Sequence, residues 1–352
     1  MTSFTLQEKL TAAGAQLGEY GGARTAATFG APRAELHALR GACGVYDLTW
    51  RGKLVITGED RVRWLNGMIT GNVRDLPMNH GTYSFLLNPQ GRIQADLYAF
   101  NRGDYLLVTS DAAQIPRLTE TFDHYIIMDD VEVADVSSKL ASIGLGGPQA
   151  TDVLSRAGFV FPSALKPLDI ADLEWRGLGV SVARGDSKVH PNYEIWFHPD
   201  HAASVWDAMV AAGALPVGSQ ALEWDRILSG VPRYGLDIGD RDLPQETGQE
   251  RALHYSKGCY VGQEIVERIH SRGNVHRQFA GFIVNGAPPE RGTKVRVGDK
   301  DVGEITSAAT IPTEIIERTY ALGYLRREHA AVGTEVQIGD ATAHVASLPF
   351  QD

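Results

Sequence analysis

The stretch KGCYVGQE, residues 257–264, places a thiol between two glycines, beside a lysine and just ahead of an amphipathic segment. Apolar residues recur at helical spacing over residues 264–270, which predicts a helix there. Cys259 would then lie just before a helix N-terminus, where the exposed amide dipoles and the Lys257 ammonium both favour thiolate over thiol. The alternative is a structural loop, in which the glycines form a tight turn and the cysteine is a small apolar residue.

Alternating strands and helices precede this stretch. The first set has strands at 51–57, 83–87 and 93–100, a helix at 59–67 and a turn at 88–91. A comparable set recurs over residues 138–213, with strands at 139–145, 173–182 and 193–197 and a helix at 202–211. The recurrence predicts two related α+β halves that divide near residue 137.

The last part of the chain has a different pattern. Short β-rich segments at 279–284, 293–297, 302–307 and 341–347 are separated by Gly and Pro turns. This spacing is typical of a small β-barrel or sandwich. We therefore predict a first region over residues 1–277 and a C-terminal β-barrel over residues 278–352.

Composition limits the possible classes. The 352 residues exceed what one core usually serves, so we expect two or three packed units. The formal charge of −10 argues against broad attraction to nucleic acid or an anionic membrane. Two cysteines, Cys43 and Cys259, make no disulfide framework and indicate a reducing compartment. Since no signal-peptide pattern and no run of about 18 apolar residues occurs, we expect a cytoplasmic protein.

A carboxylate lies on one of the predicted strands. Alternation over residues 92–100 puts Gln94, Asp96, Tyr98 and Phe100 on one face and small or aliphatic residues on the other. A charge on a largely apolar strand face needs a partner or a ligand. The alternative is a carboxylate satisfied by neighbouring amides.

Metal binding is the other chemistry to weigh. His254, Cys259, His270 and His276 could be imagined as ligands, but their spacing matches neither a CxxC pair nor an HExxH helix. Solvated histidines explain them better, and the sequence predicts no metal site.

Several motifs together resemble one family. These are KGCYVGQE at 257–264, GVYDL at 44–48, GKLVITG at 52–58, YSFLLN at 83–88 and GVPRYG at 230–235. They resemble the YgfZ family, the folate-binding relatives of the glycine-cleavage T-protein (aminomethyltransferase), whose superfamily also includes a mitochondrial iron–sulfur assembly factor. The resemblance implies a T-protein-like α+β fold of three domains: two related α+β halves and a C-terminal small β-barrel.

The resemblance also implies a pocket for tetrahydrofolate or a derivative. Asp96 matches the aspartate that faces the folate nitrogens, and Tyr83 matches an aromatic residue of the same pocket. Glu194 matches the glutamate that hydrogen-bonds the pterin ring, and Arg226 matches an arginine that reaches the pterin or its tail. The alternative for Arg226 is a helix arginine paired with Glu223 at i−3.

The function implied is that of a folate-binding accessory protein. Such a protein supports assembly or repair of iron–sulfur enzymes, including tRNA-modifying ones, and its partners are folate and iron–sulfur proteins or their assembly machinery. Cys259, Lys257 and Asp96 would carry the chemistry; the motif residues are Lys257, Gly258, Cys259, Tyr260, Gly262, Gln263 and Glu264. We expect no direct binding of nucleic acid or membrane.

Two alternatives stay open at this point. One is a folate-dependent one-carbon transferase of the aminomethyltransferase or demethylase kind, and the other is a binding module with a vestigial folate pocket. The loop at 185–192 departs from the T-protein pattern, which puts the aminomethyl-lipoyl substrate site in doubt. The motif thiol has no role in moving a methylene group to folate, so it favours the accessory function.

Overall fold

The computed structural model describes residues 6–161, 163–273, 275–313 and 316–351. The chain divides into two compact units. The first unit holds Met1–Asn66, Asn72–Tyr83 and Leu97–Leu222, and the second unit holds Gly67–Gly71, Ser84–Asp96 and Glu223–Asp352. None of the helices in the described ranges has the length and apolar character that crossing a bilayer requires.

Helices and strands alternate through the first part of the chain. In order they are α1 (Leu6–Ala12), β1 (Gln16–Tyr20), β2 (Ala23–Thr28), α2 (Pro32–Gly41), β3 (Gly44–Asp47), β4 (Arg51–Thr57), α3 (Arg61–Met68), β5 (Gly81–Leu87), β6 (Ile93–Asn101), β7 (Leu106–Asp111), α4 (Ile115–Tyr125) and β8 (Glu132–Asp135). One sheet has the order β5–β6–β7–β4–β8, so β4 is an interior strand.

The alternation continues after β8. The next elements are β9 (Ala141–Gly146), α5 (Ala150–Arg156), β10 (Ile170–Trp175), β11 (Leu178–Arg184), β12 (Asn192–Phe197), α6 (Ala202–Ala211), β13 (Leu215–Pro216), α7 (Ser219–Leu228) and α8 (Gln263–Arg272). A second sheet has the order β10–β11–β12–β9–β3–β13. It packs against a core of aliphatic and aromatic side chains that includes Ile143, Val182, Ile195 and Trp206.

The C-terminal part forms a closed barrel. Its strands are β14 (Arg277–Val284), β15 (Lys294–Val297), β16 (Lys300–Pro312), β17 (Glu317–Arg326), β18 (Glu335–Ile338) and β19 (Ala341–Ala346). They close in the order β14–β17–β16–β15–β18–β19 around an apolar core. The backbones of β16 and β17 approach so closely that a Cβ on Gly323 would lie 2.3 Å from the Glu304 carbonyl oxygen. Short 3₁₀ turns at Ala112–Gln114, Pro199–His201, Pro244–Glu246, Glu250–Ala252 and Arg327–His329 join several elements.

The predicted fold class is confirmed: two α+β halves and a C-terminal barrel. Alternation and helical spacing located most elements because each has one buried face; β4 and α6 have the predicted limits. The division near residue 137 and the limit at residue 277 stay predictions.

One predicted strand is wrong. Residues 173–182 are not a single strand but parts of β10 and β11, which pair antiparallel in a hairpin. Arg176 and Gly177 form its turn with φ of 53° and 76°. An arginine rarely adopts the left-handed region, so this pair gives a weak turn signal compared with Asn-Gly or Asp-Gly.

Candidate functional site

An aromatic cluster in the first unit consists of Tyr83, Tyr98, Phe100 and Trp196. The ring centroids of Tyr83 and Tyr98 are 5.0 Å apart. Tyr98 stacks with Phe100 at 6.4 Å, and Phe100 meets Trp196 edge-on at 5.4 Å. Aromatic pairs of this kind contribute about 0.5–1.5 kcal/mol beyond the area that they bury. The cluster therefore connects Tyr83 by ring contacts to β12, the strand that carries Glu194.

Glu194 lies at the end of this cluster and is half-buried. It is two residues from Trp196 on β12, so both side chains are on the same face of the sheet. The indole Nε1 of Trp196 donates to Glu194 Oε2 over 3.0 Å. In the described part of the chain, Glu194 Oε1 has no hydrogen-bond donor. A ligand with N–H groups could supply the missing donors.

A buried lysine lies near this carboxylate, and the sequence-based prediction did not include it. Lys53 on β4 is 1% exposed, and its Nζ donates to Ser142 Oγ over 2.9 Å. Burial lowers the pKa of Lys53 to about 8, and the negative charge of Glu194 opposes this effect. The signal in the sequence was a lysine between Gly52 and Leu54, inside a mostly apolar strand; a lysine is rarely buried without a partner.

Arg51 borders the aromatic cluster and was also missed. Its Nη1 donates to Asp111 Oδ1 over 2.9 Å and its Nη2 donates to Thr109 Oγ1 over 3.1 Å. The guanidinium carbon lies 5.8 Å from the ring centroid of Tyr98, within range of a cation–π interaction. The guanidinium beside the rings therefore belongs to an ion pair with Asp111.

The loop at residues 185–192 also reaches this cluster. Asp186 belongs to that loop, and its Oδ1 accepts a hydrogen bond from the Tyr98 hydroxyl over 3.0 Å. Asn192 Oδ1 accepts from the backbone N–H of Ser187, which closes the loop on itself. This loop thus supplies a carboxylate that holds Tyr98 in place.

Asp96 lies on β6, and the predicted alternation of this strand is confirmed. Ile93, Ala95 and Leu97 are buried, whereas Gln94 and Asp96 are half-buried on the other face. Asp96 belongs to the second unit, so it is described apart from the aromatic cluster. Its role towards a folate stays a prediction.

Arg226 on α7 is held by an extensive network in the second unit. Its Nε and Nη2 donate to the two oxygens of Glu223 over 3.0 and 2.5 Å, and Nη1 donates to Asp237 Oδ2 over 2.6 Å. Further bonds go to the Val231 carbonyl and to Ser307 Oγ. All five N–H groups of the guanidinium are used in this way. The geometry favours the alternative in which Arg226 is structural, and its assignment to folate stays a prediction.

The motif loop leads into α8 as the sequence predicted. Gly258 and Gly262 have φ of 100° and 80°, in the region that favours glycine, and Gly262 is the N-cap of α8. A Cβ on Gly262 would lie 2.6 Å from the Asn88 carbonyl oxygen. The two glycines of the motif are therefore required by the backbone, as the structural alternative proposed.

The two cysteines differ sharply in environment. Cys259, between these glycines, is exposed, whereas Cys43 is buried, and both thiols are free. Burial raises the pKa of Cys43 to about 12. Cys43 is thus an inert apolar residue, and Cys259 is the thiol that a reagent or partner can reach.

Lys257 does not point freely into solvent beside the thiol. It is 1% exposed, and its Nζ donates to the carbonyl oxygens of Ile69, at 2.6 Å, and Gly71. The ammonium also lies 5.1 Å from the ring centroid of Tyr260. These contacts favour a positioning role, in which Lys257 fixes the motif loop to the segment after α3. Activation of the Cys259 thiol by Lys257 stays a prediction.

The remaining motif residues shape the start of α8. Gln263 Oε1 accepts from the backbone N–H of Tyr260 over 3.3 Å. Glu264 is exposed in the first turn, where a negative charge interacts favourably with the helix dipole. Tyr260 is buried, and burial raises its pKa further above the usual value.

The structure describes no metal-like grouping. Within residues 6–161, 163–273, 275–313 and 316–351, no three or more His, Cys, Asp or Glu side chains are arranged to hold a metal ion. Of the histidines considered from the sequence, His270 stacks on Tyr255 with ring centroids 3.7 Å apart.

The predicted site residues thus fall into two groups. Tyr83 and Glu194 belong to the first unit, where the aromatic cluster links them. Asp96, Arg226 and the motif residues belong to the second unit. Lys53 and Arg51 are additions that only the structure identified.

Comparisons with known proteins cover nearly the whole chain. An aminomethyltransferase of Geobacillus kaustophilus is 28% identical over 349 residues, which covers 96% of this chain and 95% of that protein. A putative chloroplastic transferase of Arabidopsis thaliana is 26% identical over 319 residues, covering 87% of this chain and 71% of that protein.

A solved structure supports the fold. The glycine cleavage system aminomethyltransferase T of Bartonella henselae matches with a TM-score of 0.88 at 20% identity, covering 98% of this chain and 97% of that one. The model of the GCVT N-terminal domain matches residues 6–257, and that of the glycine cleavage T-protein C-terminal barrel domain matches residues 277–352. The chain therefore belongs to the glycine cleavage T-protein family.

Proposed function

We propose that this chain binds tetrahydrofolate or a derivative and uses Cys259 to support assembly or repair of iron–sulfur enzymes. The observation that carries the folate part is the half-buried Glu194, whose Oε1 has no donor among the described residues and which lies beside an aromatic cluster. The edge of a 2-amino-4-oxopyrimidine ring offers two parallel N–H donors, which a single carboxylate can accept.

The surroundings of Glu194 suit such a ring. Tyr98 is half-buried, and a pterin can pack against the accessible part of its ring, which the buried Phe100 and Trp196 support from behind. Few protein donors compete for the carboxylate, so a ligand would gain hydrogen bonds that the free protein lacks.

The thiol part of the proposal rests on the motif loop. Cys259 is exposed, while its neighbours hold the backbone in place: Lys257 bonds two carbonyl oxygens and Gly262 caps α8. A thiol presented on a fixed loop suits contact with a protein partner. One cysteine cannot hold a four-iron cluster alone, so we propose a transient thiolate role or ligation shared with thiols of a partner.

The second candidate is a folate-dependent one-carbon transferase. It is favoured by the aminomethyltransferase of Geobacillus kaustophilus, which matches along 96% of this chain. This function would need Asp96 near the acceptor nitrogen and would not need the thiol of Cys259. The two candidates therefore differ in which residue is indispensable.

Complementation of a YgfZ-deficient strain tests the proposal. The wild type, Cys259→Ser and Asp96→Asn are expressed at matched levels, with Cys43→Ala as a thiol control, and the readout is activity of a tRNA-thiomethylating iron–sulfur enzyme. We expect the wild type and Cys43→Ala to restore activity and Cys259→Ser to fail. Full rescue by Cys259→Ser would refute the thiol function. Glycine-cleavage turnover that Asp96→Asn abolishes and Cys259→Ser leaves intact would establish the second candidate.

A further inference from the structure

Lys53 is a buried charge that the proposed function does not yet use. It is 1% exposed on the interior strand β4, and its Nζ donates to Ser142 Oγ over 2.9 Å and to the Arg51 carbonyl over 3.5 Å. In the described part of the chain, no carboxylate lies within ion-pair distance of this ammonium. A buried ammonium with only neutral acceptors is costly, so its presence calls for an explanation.

Strand pairing locates this ammonium on the face that carries Glu194. Ser142 on β9 is the register partner of Trp196 on β12, so their side chains project from the same face of the sheet. Glu194 is two residues before Trp196 and projects from that face as well. The hydroxyl that anchors Lys53 and the indole that anchors Glu194 therefore belong to one cross-strand pair.

The charges around Lys53 agree with this placement. Burial lowers the pKa of Lys53 to about 8; the charges of Glu194 and Asp47 act to raise it, and that of Arg51 acts to lower it. Of these three charges, Glu194 has the largest effect. Glu194 in turn is half-buried, so water screens its attraction for the ammonium in the free protein.

We propose that Lys53 is a positioning residue that serves as the counter-ion of Glu194 when a pterin ring covers that carboxylate. The inference rests on the proposed folate binding. It adds that the charge of Lys53 offsets the cost of burying the Glu194 carboxylate under the ligand. A ligand over Glu194 excludes water and strengthens the attraction between the two charges. An anion buried without its counter-ion would be costly, so affinity depends on the lysine charge.

Binding and protonation of Lys53 must then be coupled. If the covered carboxylate favours the charged lysine, the bound protein takes up a proton near pH 8, and affinity falls as the pH rises through this range. A tenfold fall corresponds to a change of about one unit in the pKa of Lys53 between the free and bound protein. Titration of the ligand itself is common to all variants and cancels in a comparison.

The test is anaerobic calorimetry with tetrahydrofolate between pH 6.5 and 9.5. The proteins are the wild type, Lys53→Met, Glu194→Gln, the double variant, and Lys139→Met as a control at an exposed lysine of the same unit. We expect Lys53→Met to weaken binding about tenfold at pH 7 and to lose the fall at high pH. Lys139→Met should follow the wild type, and the double variant should be no weaker than Glu194→Gln alone.

The outcomes separate the inference from the function on which it rests. If Glu194→Gln weakens binding and Lys53→Met matches the wild type at every pH, the inference is overturned and folate binding stands. If the wild type does not bind tetrahydrofolate, or if Glu194→Gln binds it as tightly as the wild type, both the inference and the proposed folate site are overturned.

A second variant and a stability measurement without ligand guard against a folding defect. Ser142→Ala keeps the lysine and removes its anchor, and should weaken binding in the same direction as Lys53→Met. In the free protein, Glu194→Gln should move the pH-dependent change in stability due to Lys53 to lower pH. No movement would show that the two charges do not interact and would overturn the inference.

Discussion

Replacing Lys53 with methionine should make the protein more stable at neutral pH. Burial lowers the pKa of Lys53 from its ordinary value of 10.5 to about 8. Between these two values the unfolded chain binds a proton that the folded chain has released, so stability rises with pH across this window. The 2.5 units between them, at about 1.36 kcal/mol each, give a rise of about 3 kcal/mol.

Lys53→Met removes this cost at pH 7 and keeps the length of the side chain. It also removes the hydrogen bond to Ser142, which costs about 1 kcal/mol. We therefore expect the variant to be about 2 kcal/mol more stable than the wild type at pH 7. The advantage should shrink steadily above pH 8 and reverse near pH 10.

Urea unfolding followed by circular dichroism at intervals from pH 7 to 10.5 measures the difference. Cys43 and Tyr260, whose pKa values burial raises, destabilise both proteins alike at high pH and cancel in the comparison. A stability difference between variant and wild type that does not change with pH would refute the account of Lys53 as a buried ammonium.

Three further outcomes follow from the contacts. Iodoacetamide should modify Cys259 and spare Cys43 in the native protein, and mass spectrometry that finds Cys43 modified before unfolding would contradict the burial assigned to it. Arg226→Lys should lower the free energy of unfolding by about 3 kcal/mol because it breaks a buried charge network. Unchanged stability with weakened folate binding would instead show that Arg226 contacts the folate. Lys257→Met should lower the free energy of unfolding by about 2 kcal/mol, because it leaves two carbonyl oxygens without their donor. Cys259→Ser should change this free energy by less than about 0.5 kcal/mol. Equal losses of stability in the two variants would contradict a structural role for Lys257 and a non-structural role for Cys259.

Most of the fold could be predicted because its elements have one-sided apolar patterns. β4 and α6 were located to the residue, and β6 shows the predicted alternation. β17 and β18 were missed, although the segments around them indicated a small barrel. Each pairs on one side with the adjacent strand in the chain, β16 or β19, and on the other side with a distant strand, β14 or β15, and local patterning does not contain the distant pairing.

The candidate site could be predicted only where a motif carried it. Resemblance points to Tyr83 and Glu194, which the ring contacts and the hydrogen bond from Trp196 to Glu194 connect. Lys53 escaped notice because its anchor, Ser142, is 89 residues away in the chain and on another sheet. Periodicity says which face of a strand a side chain occupies; it does not say what that face meets.

At the thiol motif, closeness in sequence does not reveal which groups a charged side chain contacts. Lys257 is two residues from Cys259, and the sequence suggested that its charge acts on the thiol. The side chain donates to the carbonyl oxygens of Ile69 and Gly71, which are 188 and 186 residues away along the chain, and its effect on the thiol stays a prediction. A buried lysine donates to whichever carbonyl oxygens the fold places near it, and for Lys257 these oxygens belong to residues that are distant in sequence.

A crystal structure of the chain with tetrahydrofolate would test the central claim most directly. The account predicts the N–H edge of the pterin ring within about 2.7–3.2 Å of the Glu194 carboxylate oxygens, with the ring against Tyr98. Lys53 should keep its bond to Ser142 on the protein side of that carboxylate. A pterin bound elsewhere, with Glu194 in contact with solvent, would contradict it.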